Sequence, residues 1–226
     1  MKTLTVHASE TYDILIGENI LASALARFAG SGRFCLVTDS NVEPLYGDLV
    51  RGLLKAHGSV SGFTFPAGEP SKTLGTFSLL LEHLASAGLT RSDTVVALGG
   101  GVTGDLAGFA ASCYLRGVRV LQIPTTLLAM IDSSVGGKTG VDLKAGKNLA
   151  GTFWQPAAVI ADTALLSTLD KDVFVDGMAE AVKYGMIGSE ELFGEIERGH
   201  PDLEAMIFAC IDQKRRFVEA DERDTG

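Results

Sequence analysis

The chain has 226 residues, 46% of them hydrophobic and 21% charged, which suits a globular protein with a sizeable buried core. A formal net charge of −9 and the lack of any long basic run argue against nucleic acid or an anionic membrane surface as a partner. No run approaches the roughly 20 apolar residues of a membrane helix, and MKTLTVHASETYDILIGEN lacks a signal-peptide core, so a cytoplasmic protein is expected. Cys35, Cys113 and Cys210 are odd in number and far apart, which predicts reduced core thiols rather than a disulfide framework.

In chain order, LTVHAS and YDILIG alternate polar and apolar residues and predict two half-buried strands. Helix and strand then alternate. NILASALARFA reads as a helix, RFCLVTD as a buried strand, PLYGDLVRGLLKAHG as a helix opened by Pro44, and VSGFTF as a strand. SKTLGTFSLLLEHLASAG predicts a helix with Ser71 as its N-cap, and DTVVALGGG an apolar strand running into glycine. GDLAGFAASCYLRG and RVLQIP add a further helix and strand. From about residue 162 the pattern is helical only. The fold class is therefore α/β: a Rossmann-like, mainly parallel sheet over residues 1–160, followed over 161–226 by the start of an all-α domain. At about 65 residues that second region is short to stand alone and stops in a charged segment, so the chain is expected to be a fragment.

In such sheets ligands sit beyond the C-terminal strand ends, which selects TDSN, PAGEPSK, GGGVTGD and PTT. GGGVTGD, with Gly100, Gly101, Val102, Gly104 and Asp105, follows a strand and opens a helix, so its backbone N–H groups can face an anion. A tight turn that merely needs glycine is the structural alternative. Asp39 and Asn41 suit ribose hydroxyls, or a plain helix cap. Glu69 and Lys72 suit a ribose and a phosphate, or Ser71 caps the helix and Lys72 lies in solvent.

IDSSVGGKTGVDLKAGKN, residues 131–148, carries the Gly-Lys-Thr ending of a phosphate-binding P-loop. The motif's first glycine would fall on Asp132, and AGKN has Asn148 where Ser or Thr is required, so a nucleotide triphosphatase is disfavoured. There remain Asp132, Lys138, Lys144, Lys147 and Asn148 among glycines, a set suited to binding an anion. In AEAVKYG, Glu180, Lys183 and Tyr184 share one helix face. They form either an exposed ion pair or one oxygen ligand of a zinc, which needs about three protein ligands. Histidine is scarce: His7 lies in a strand, His57 and His83 in helical segments, and His200 in a turn before Pro201.

Taken together, GEPSKT (68–73), GGGVTGDLAGFAASCYLRG (99–117), QIPTTLLAMIDSSVGGKTGVDLKAGKNLAGTFWQP (122–156), ADTALLSTL (161–169) and GMAEAVKYG (177–185) resemble the 3-dehydroquinate synthase family. The resemblance implies an NAD-binding α/β domain, a helical domain holding a divalent metal, zinc or cobalt, and an active site between them. It implies that Asp39, Asn41, Glu69, Lys72, Gly100, Gly101, Val102, Gly104, Asp105, Thr125, Thr126, Leu165, Leu166, Ser167 and Thr168 contact NAD. Lys138 and Lys147 would serve the nicotinamide side as well as substrate. Arg116, Asp132, Lys138, Lys147, Asn148 and Lys183 would handle substrate, a small sugar acid phosphate, and Glu180 would be the carboxylate metal ligand. The family's two histidine metal ligands lie downstream of any segment present here. The family is usually a homodimer. Related cyclases that make an inosose or a valiolone carry a version of the same block, and a non-catalytic NAD-binding module is the reading from a different class.

Overall fold

The computed structural model describes residues 1–199 and 201–226, and His200 lies outside the described residues. The two alternating segments at the start of the chain become β1 (Lys2–His7) and β2 (Thr11–Gly17), an antiparallel pair with Lys2 opposite Ile16. After α1 (Leu21–Phe28) the chain alternates between β3 (Gly32–Asp39), α2 (Asp48–Lys55), β4 (Gly58–Phe65), α3 (Leu74–Ser86), β5 (Thr94–Gly99), α4 (Gly101–Cys113) and β6 (Arg119–Pro124). A hairpin of β7 (Lys138–Leu143) and β8 (Gly146–Phe153) follows, then β9 (Ala158–Asp162) and the helices α5 (Lys171–Gly188), α6 (Glu190–Glu197) and α7 (Leu203–Ala220).

Seven strands form one sheet in the order β1-β2-β9-β6-β5-β3-β4, parallel at every pairing except β1 with β2. The sheet is covered on both faces, and the side-chain period of two sorts its residues between them. Phe34, Leu36, Val96, Leu98, Leu121 and Ile123 face one cluster together with α1, α2, α5 and α7. Cys35, Val37, Val95, Ala97 and Val120 face the other, under α3 and α4. Ala181 and Tyr184 of α5, and Met206, Ile207, Cys210 and Ile211 of α7, belong to the first cluster, so the helical region shares its core with the sheet.

The elements differ from expectation in five places. The helix expected to open at Pro44 begins as a wide π-helical turn over Glu43–Gly47, and α2 proper starts at Asp48. Thr73, not Ser71, caps α3, its hydroxyl accepting from the Thr76 N–H at 3.2 Å, because Ser71 is still inside a 3-10 turn. Residues 138–153, where no strand was expected, form a hairpin, since glycine and lysine mask the short alternation of Val141, Leu143 and Leu149. AVIAD, which the sequence reading passed over, is the buried strand β9; it pairs with β2 and β6 and so joins the antiparallel start to the parallel core. Cys113 is exposed, while Cys35 and Cys210 are buried, and all three are free.

Asp162, at the end of β9, is buried and takes the N–H groups of Asn19 and Ile20 at 2.8 Å and of Leu21 and Ala164 at 3.1 Å. One carboxylate thereby supplies acceptors to the otherwise uncapped start of α1 and to the 3-10 segment after β9. Asp162→Ala leaves these donors unpaired and should cost on the order of 3 kcal/mol in urea unfolding, against a few tenths for an exposed aspartate such as Asp48.

Candidate active site

Parallel strands bring Asp39, Phe65, Gly99, Pro124 and Asp162 to one edge of the sheet, and a cleft of about 540 Å³ opens there against the start of α5. Asp39, Asn41, Glu69, Lys72, Gly100, Gly101, Val102, Asp105, Thr125, Thr126, Leu165 and Thr168, all marked from the sequence, line it. Asp39 Oδ1 accepts from the N–H groups of Asn41 (2.9 Å) and Val42 (3.1 Å), and Oδ2 lies 3.3 Å from the Thr103 hydroxyl, which fixes the carboxylate at the rim.

The glycines at the head of α4 are there for close approach. A Cβ on Gly100 would stand 3.1 Å from Thr126 Cγ2, and one on Gly101 3.0 Å from Ser133 Oγ. The free N–H groups of the first turn of this 13-residue helix open on the cleft, with the positive end of its dipole. A dinucleotide fits this lining: a glycine-floored helix start for the pyrophosphate, and carboxylates at strand ends for ribose hydroxyls. Gly104 does not line the cleft; it faces β6, where a Cβ would press on the Gln122 side chain at 2.8 Å. Leu166 is in the core and the Ser167 hydroxyl donates to the Ala164 carbonyl at 2.7 Å, so neither side chain lines the cleft.

Lys72 is only 4% exposed, which removes the solvent reading of this residue. Its ammonium donates to Asp105 and to Asn148 Oδ1 (2.5 Å), while its carbonyl accepts the Asp142 N–H at 2.8 Å. Asn148, in the left-handed region at φ 55°, has its N–H held by Asp142 at 2.8 Å. Lys147 lies 3.3 Å from Glu69. Lys138, Asn148 and Asp105 line a second hollow of about 320 Å³ between α4 and the hairpin, with Lys138 bridging to Asp224 at 2.8 Å. Burial pushes the Asp105 carboxyl up to about 6, against the opposing pull of the Lys72 ammonium.

Asp132 sits in a second wide π-helical turn, Ala129–Ser133, a geometry concentrated at functional sites. Its Oδ1 accepts from the Tyr184 hydroxyl (2.7 Å) and from Lys214 Nζ (2.9 Å). Although burial opposes ionisation, Lys214, the Tyr184 hydroxyl and Lys183 together hold this carboxyl below the usual carboxylate range. Lys183 pairs with Glu180 one turn away on α5. The Glu180 carboxylate pairs with that ammonium, and among the described residues no group of three His, Cys, Asp or Glu lies close enough to hold an ion. Arg116 is not brought to the cleft within one chain. It is exposed beyond the C-terminus of α4, about 20 Å along the helix from Gly101, and has φ 68° beside Leu115 at φ 51°.

Sequence reasoning missed three contributors. The Tyr46 hydroxyl lies 2.7 Å from Thr168 Oγ1 and 3.0 Å from the Leu165 carbonyl, tying the first wide turn to the far rim of the cleft. Asp142 orders Asn148. Lys214 had a legible signal: it occupies the buried stripe of α7 with Ile207, Ile211 and Val218, where periodicity calls for an apolar residue.

The fold is that of an α/β protein with a mostly parallel seven-stranded sheet and a cleft at the C-terminal edge of its strands. The family model described as 3-dehydroquinate synthase N-terminal matches residues 62–176, and the chain belongs to that family. Relatives named 3-dehydroquinate synthase include that of Geobacter metallireducens, 45% identical over all of this chain and 66% of its own length, and that of Streptococcus sanguinis, 46% identical over 95% of this chain and 64% of its own. The chain thus spans about two thirds of the length of these relatives. Among solved structures, a 2-deoxy-scyllo-inosose synthase complexed with carbaglucose-6-phosphate, NAD+ and Co2+ superposes with a TM-score of 0.91 at 30% identity, over 99% of this chain and 65% of that one. A 2-epi-5-epi-valiolone synthase from Streptomyces hygroscopicus with NAD+ and Zn2+ bound gives 0.88 at 28%, over 98% and 65%. An iron-containing alcohol dehydrogenase at 17% identity and TM-score 0.73 shares the fold, over 95% of this chain and 68% of that one.

The Asp105 carboxyl binds its proton more tightly folded than unfolded, so from pH 3.8 to about 6 the folded state holds a proton that the unfolded chain has released. Stability from this group is present at the acid end of that window and is lost as pH rises through it, by on the order of 3 kcal/mol. Urea unfolding across this range should show the decline in the native sequence, and Asp105→Asn should remove it.

Proposed function

We propose that this protein acts as a 3-dehydroquinate synthase, a lyase converting 3-deoxy-D-arabino-heptulosonate 7-phosphate to 3-dehydroquinate and phosphate in aromatic amino-acid biosynthesis, with NAD as catalytic cofactor. The observation that carries the reading is the convergence of Asp39, Glu69, Lys72, Gly101, Asp105 and Thr126 on one cleft that meets the lysine-bearing hairpin at Asp105. Identities of 45% and 46% to relatives of this name, against 30% and 28% to the inosose and valiolone synthases, favour dehydroquinate over those products. A cytoplasmic homodimer, and a division into an NAD-binding part over 1–160 and a helical part from 161, belong to the same reading. A divalent metal, zinc or cobalt, belongs to the same reading, with Glu180 as the residue of this chain that would hold it.

NAD, when bound, supplies transient oxidation of a secondary alcohol, which acidifies the neighbouring C–H and allows phosphate to leave. The chain's own residues bind and orient. Asp39 and Glu69 accept from ribose hydroxyls at the rim, and the N–H groups at the head of α4 face the pyrophosphate. Lys138 and Asn148, beside the smaller hollow, hold carboxylate or phosphate oxygens, with Lys147 at its edge. Asp132 offers Oδ2 to a substrate hydroxyl, since both of its protein partners are on Oδ1. Lys183 adds positive charge beside it.

Phosphate release and product identification with the heptulosonate phosphate and NAD, beside a calorimetric NAD titration, test this. NAD binding with no phosphate release supports a non-catalytic binding module instead, and an absence of NAD binding removes the reading of the cleft. Lys138→Ala should lower turnover by about a hundredfold or more with the circular dichroism spectrum unchanged; near-native turnover would remove Lys138 from the substrate site.

A further inference from the structure

Between Asp132 and Lys138 the chain passes through Gly136 and Gly137, both buried and both left-handed, at φ 99° and 69°. A Cβ on the first would press on Val218 Cγ2 at 2.7 Å, and one on the second on Gln155 at 2.9 Å. Two successive glycines have the freest of backbones, so nothing local selects this turn and tertiary contacts must hold it. They do so from both sides of one residue. The Gly136 N–H donates to the Tyr12 hydroxyl at 3.1 Å, and the Gly136 carbonyl accepts from Gln155 Nε2 at 3.2 Å. The Trp154 N–H, 2.7 Å from the Gly137 carbonyl, completes the turn. Gln155 Nε2 is itself aimed by Glu222 Oε1 at 2.8 Å, and Glu222 accepts from the N–H and the hydroxyl of Ser9 at 2.9 and 2.5 Å. Ser9 lies between β1 and β2 and Tyr12 on β2, so both arms of the clamp trace to the antiparallel pair at the sheet edge.

Tyr12 is only 3% exposed, with its ring in the core. Phenylalanine would fill the same space without desolvating a hydroxyl, so packing does not account for the oxygen. Burial pushes its ionisation well above the usual tyrosine range, which keeps the oxygen a neutral acceptor. Lys138 opens β7 opposite Phe153, one residue beyond the clamped turn. We propose that Tyr12 is a positioning residue for the substrate site: through the Gly136 N–H, and with Gln155 on the Gly136 carbonyl, it fixes the two-glycine turn that sets Lys138 relative to Asp132. This rests on the proposed function for what those two side chains hold, but not for the conformation of the turn.

The test compares Tyr12→Phe, Gln155→Met and the double variant with the native protein, and uses Val50→Ala, a core change on α2, as a control for lost stability. Three quantities are read: hydrogen exchange of the Gly136 amide by NMR, kcat and KM for phosphate release from the heptulosonate phosphate, and the NAD dissociation constant. Tyr12→Phe should speed Gly136 exchange about tenfold or more relative to amides of β5. It should lower kcat/KM by about tenfold to a hundredfold while NAD binding is unchanged. Gln155→Met should act in the same direction, and the double variant should lose little more than either single one, because both act on one turn. Val50→Ala should lower the melting temperature and leave kcat/KM near native. Native kcat/KM in Tyr12→Phe, unchanged Gly136 exchange, or losses that multiply in the double variant would overturn the proposal and leave Tyr12 a core residue. If the native protein releases no phosphate, the functional reading fails, and Gly136 exchange alone still decides whether Tyr12 holds the turn.

Discussion

The arrangement of the cleft depends on burying one ammonium. Lys72 comes from the turn after β4, and, once enclosed, it must recover from protein oxygens the hydration it gives up. Its nitrogen takes Asp105 from the second turn of α4 and Asn148 from the hairpin, while its own carbonyl takes the Asp142 N–H. Three segments far apart in sequence are brought to one point in this way. Asp105 compensates the charge, and Asn148 joins the Asp142 N–H and Lys147 in the hairpin's polar hold on the cleft. The same enclosure sets the Asp105 carboxyl near 6, which shows that burial outweighs even a directly paired cation there.

How much was legible in the sequence varied with the range of the forces involved. The parallel core was legible because TVVALG and RFCLVTD are apolar on both faces, which only a covered sheet accommodates. The glycine turn at 99–105 was legible because a helix opening directly from a strand announces itself locally. β9 was not, because five residues of AVIAD after Pro156 carry no periodicity until β2 and β6 lie on either side of them. The hairpin was hidden for a related reason: Gly140 and Gly151 face each other across its strands at a distance where side chains would collide, so the residues that permit the pairing are those that erase its hydrophobic alternation. Of the site residues, those at strand ends were found by topology alone. Arg116 lies beyond the end of α4, at the opposite end of that helix from the glycine turn, so the strand-end rule does not reach it.

The two wide turns, Glu43–Gly47 and Ala129–Ser133, carry the same lesson at finer scale. Each adds a residue to what would otherwise be a regular helical turn and so re-aims one side chain: Tyr46 toward the rim formed by Leu165 and Thr168, and Asp132 toward α5 and α7. Propensity does not encode such turns, because their cost is met only by tertiary hydrogen bonds that form once the far partner is in place.

Those partners divide the work between the two parts of the chain. The sheet edge and the head of α4 are held by backbone geometry and close packing, since a Cβ on Gly100 or Gly101 would press on the Thr126 or Ser133 side chain. The Asp132 side is held by side chains from helices, in a setting where one oxygen is fixed and the other is open. Under the proposed function, a cofactor that must return unchanged after each cycle suits the first kind of support, since any play in the nicotinamide position would be repeated in both hydride transfers. A substrate whose skeleton rearranges suits the second, because a carboxylate anchored on one side can keep a hydroxyl in place while the rest of the molecule moves. The shared core of α5, α7 and the sheet then matters for chemistry as well as stability, since it sets the distance between the two supports.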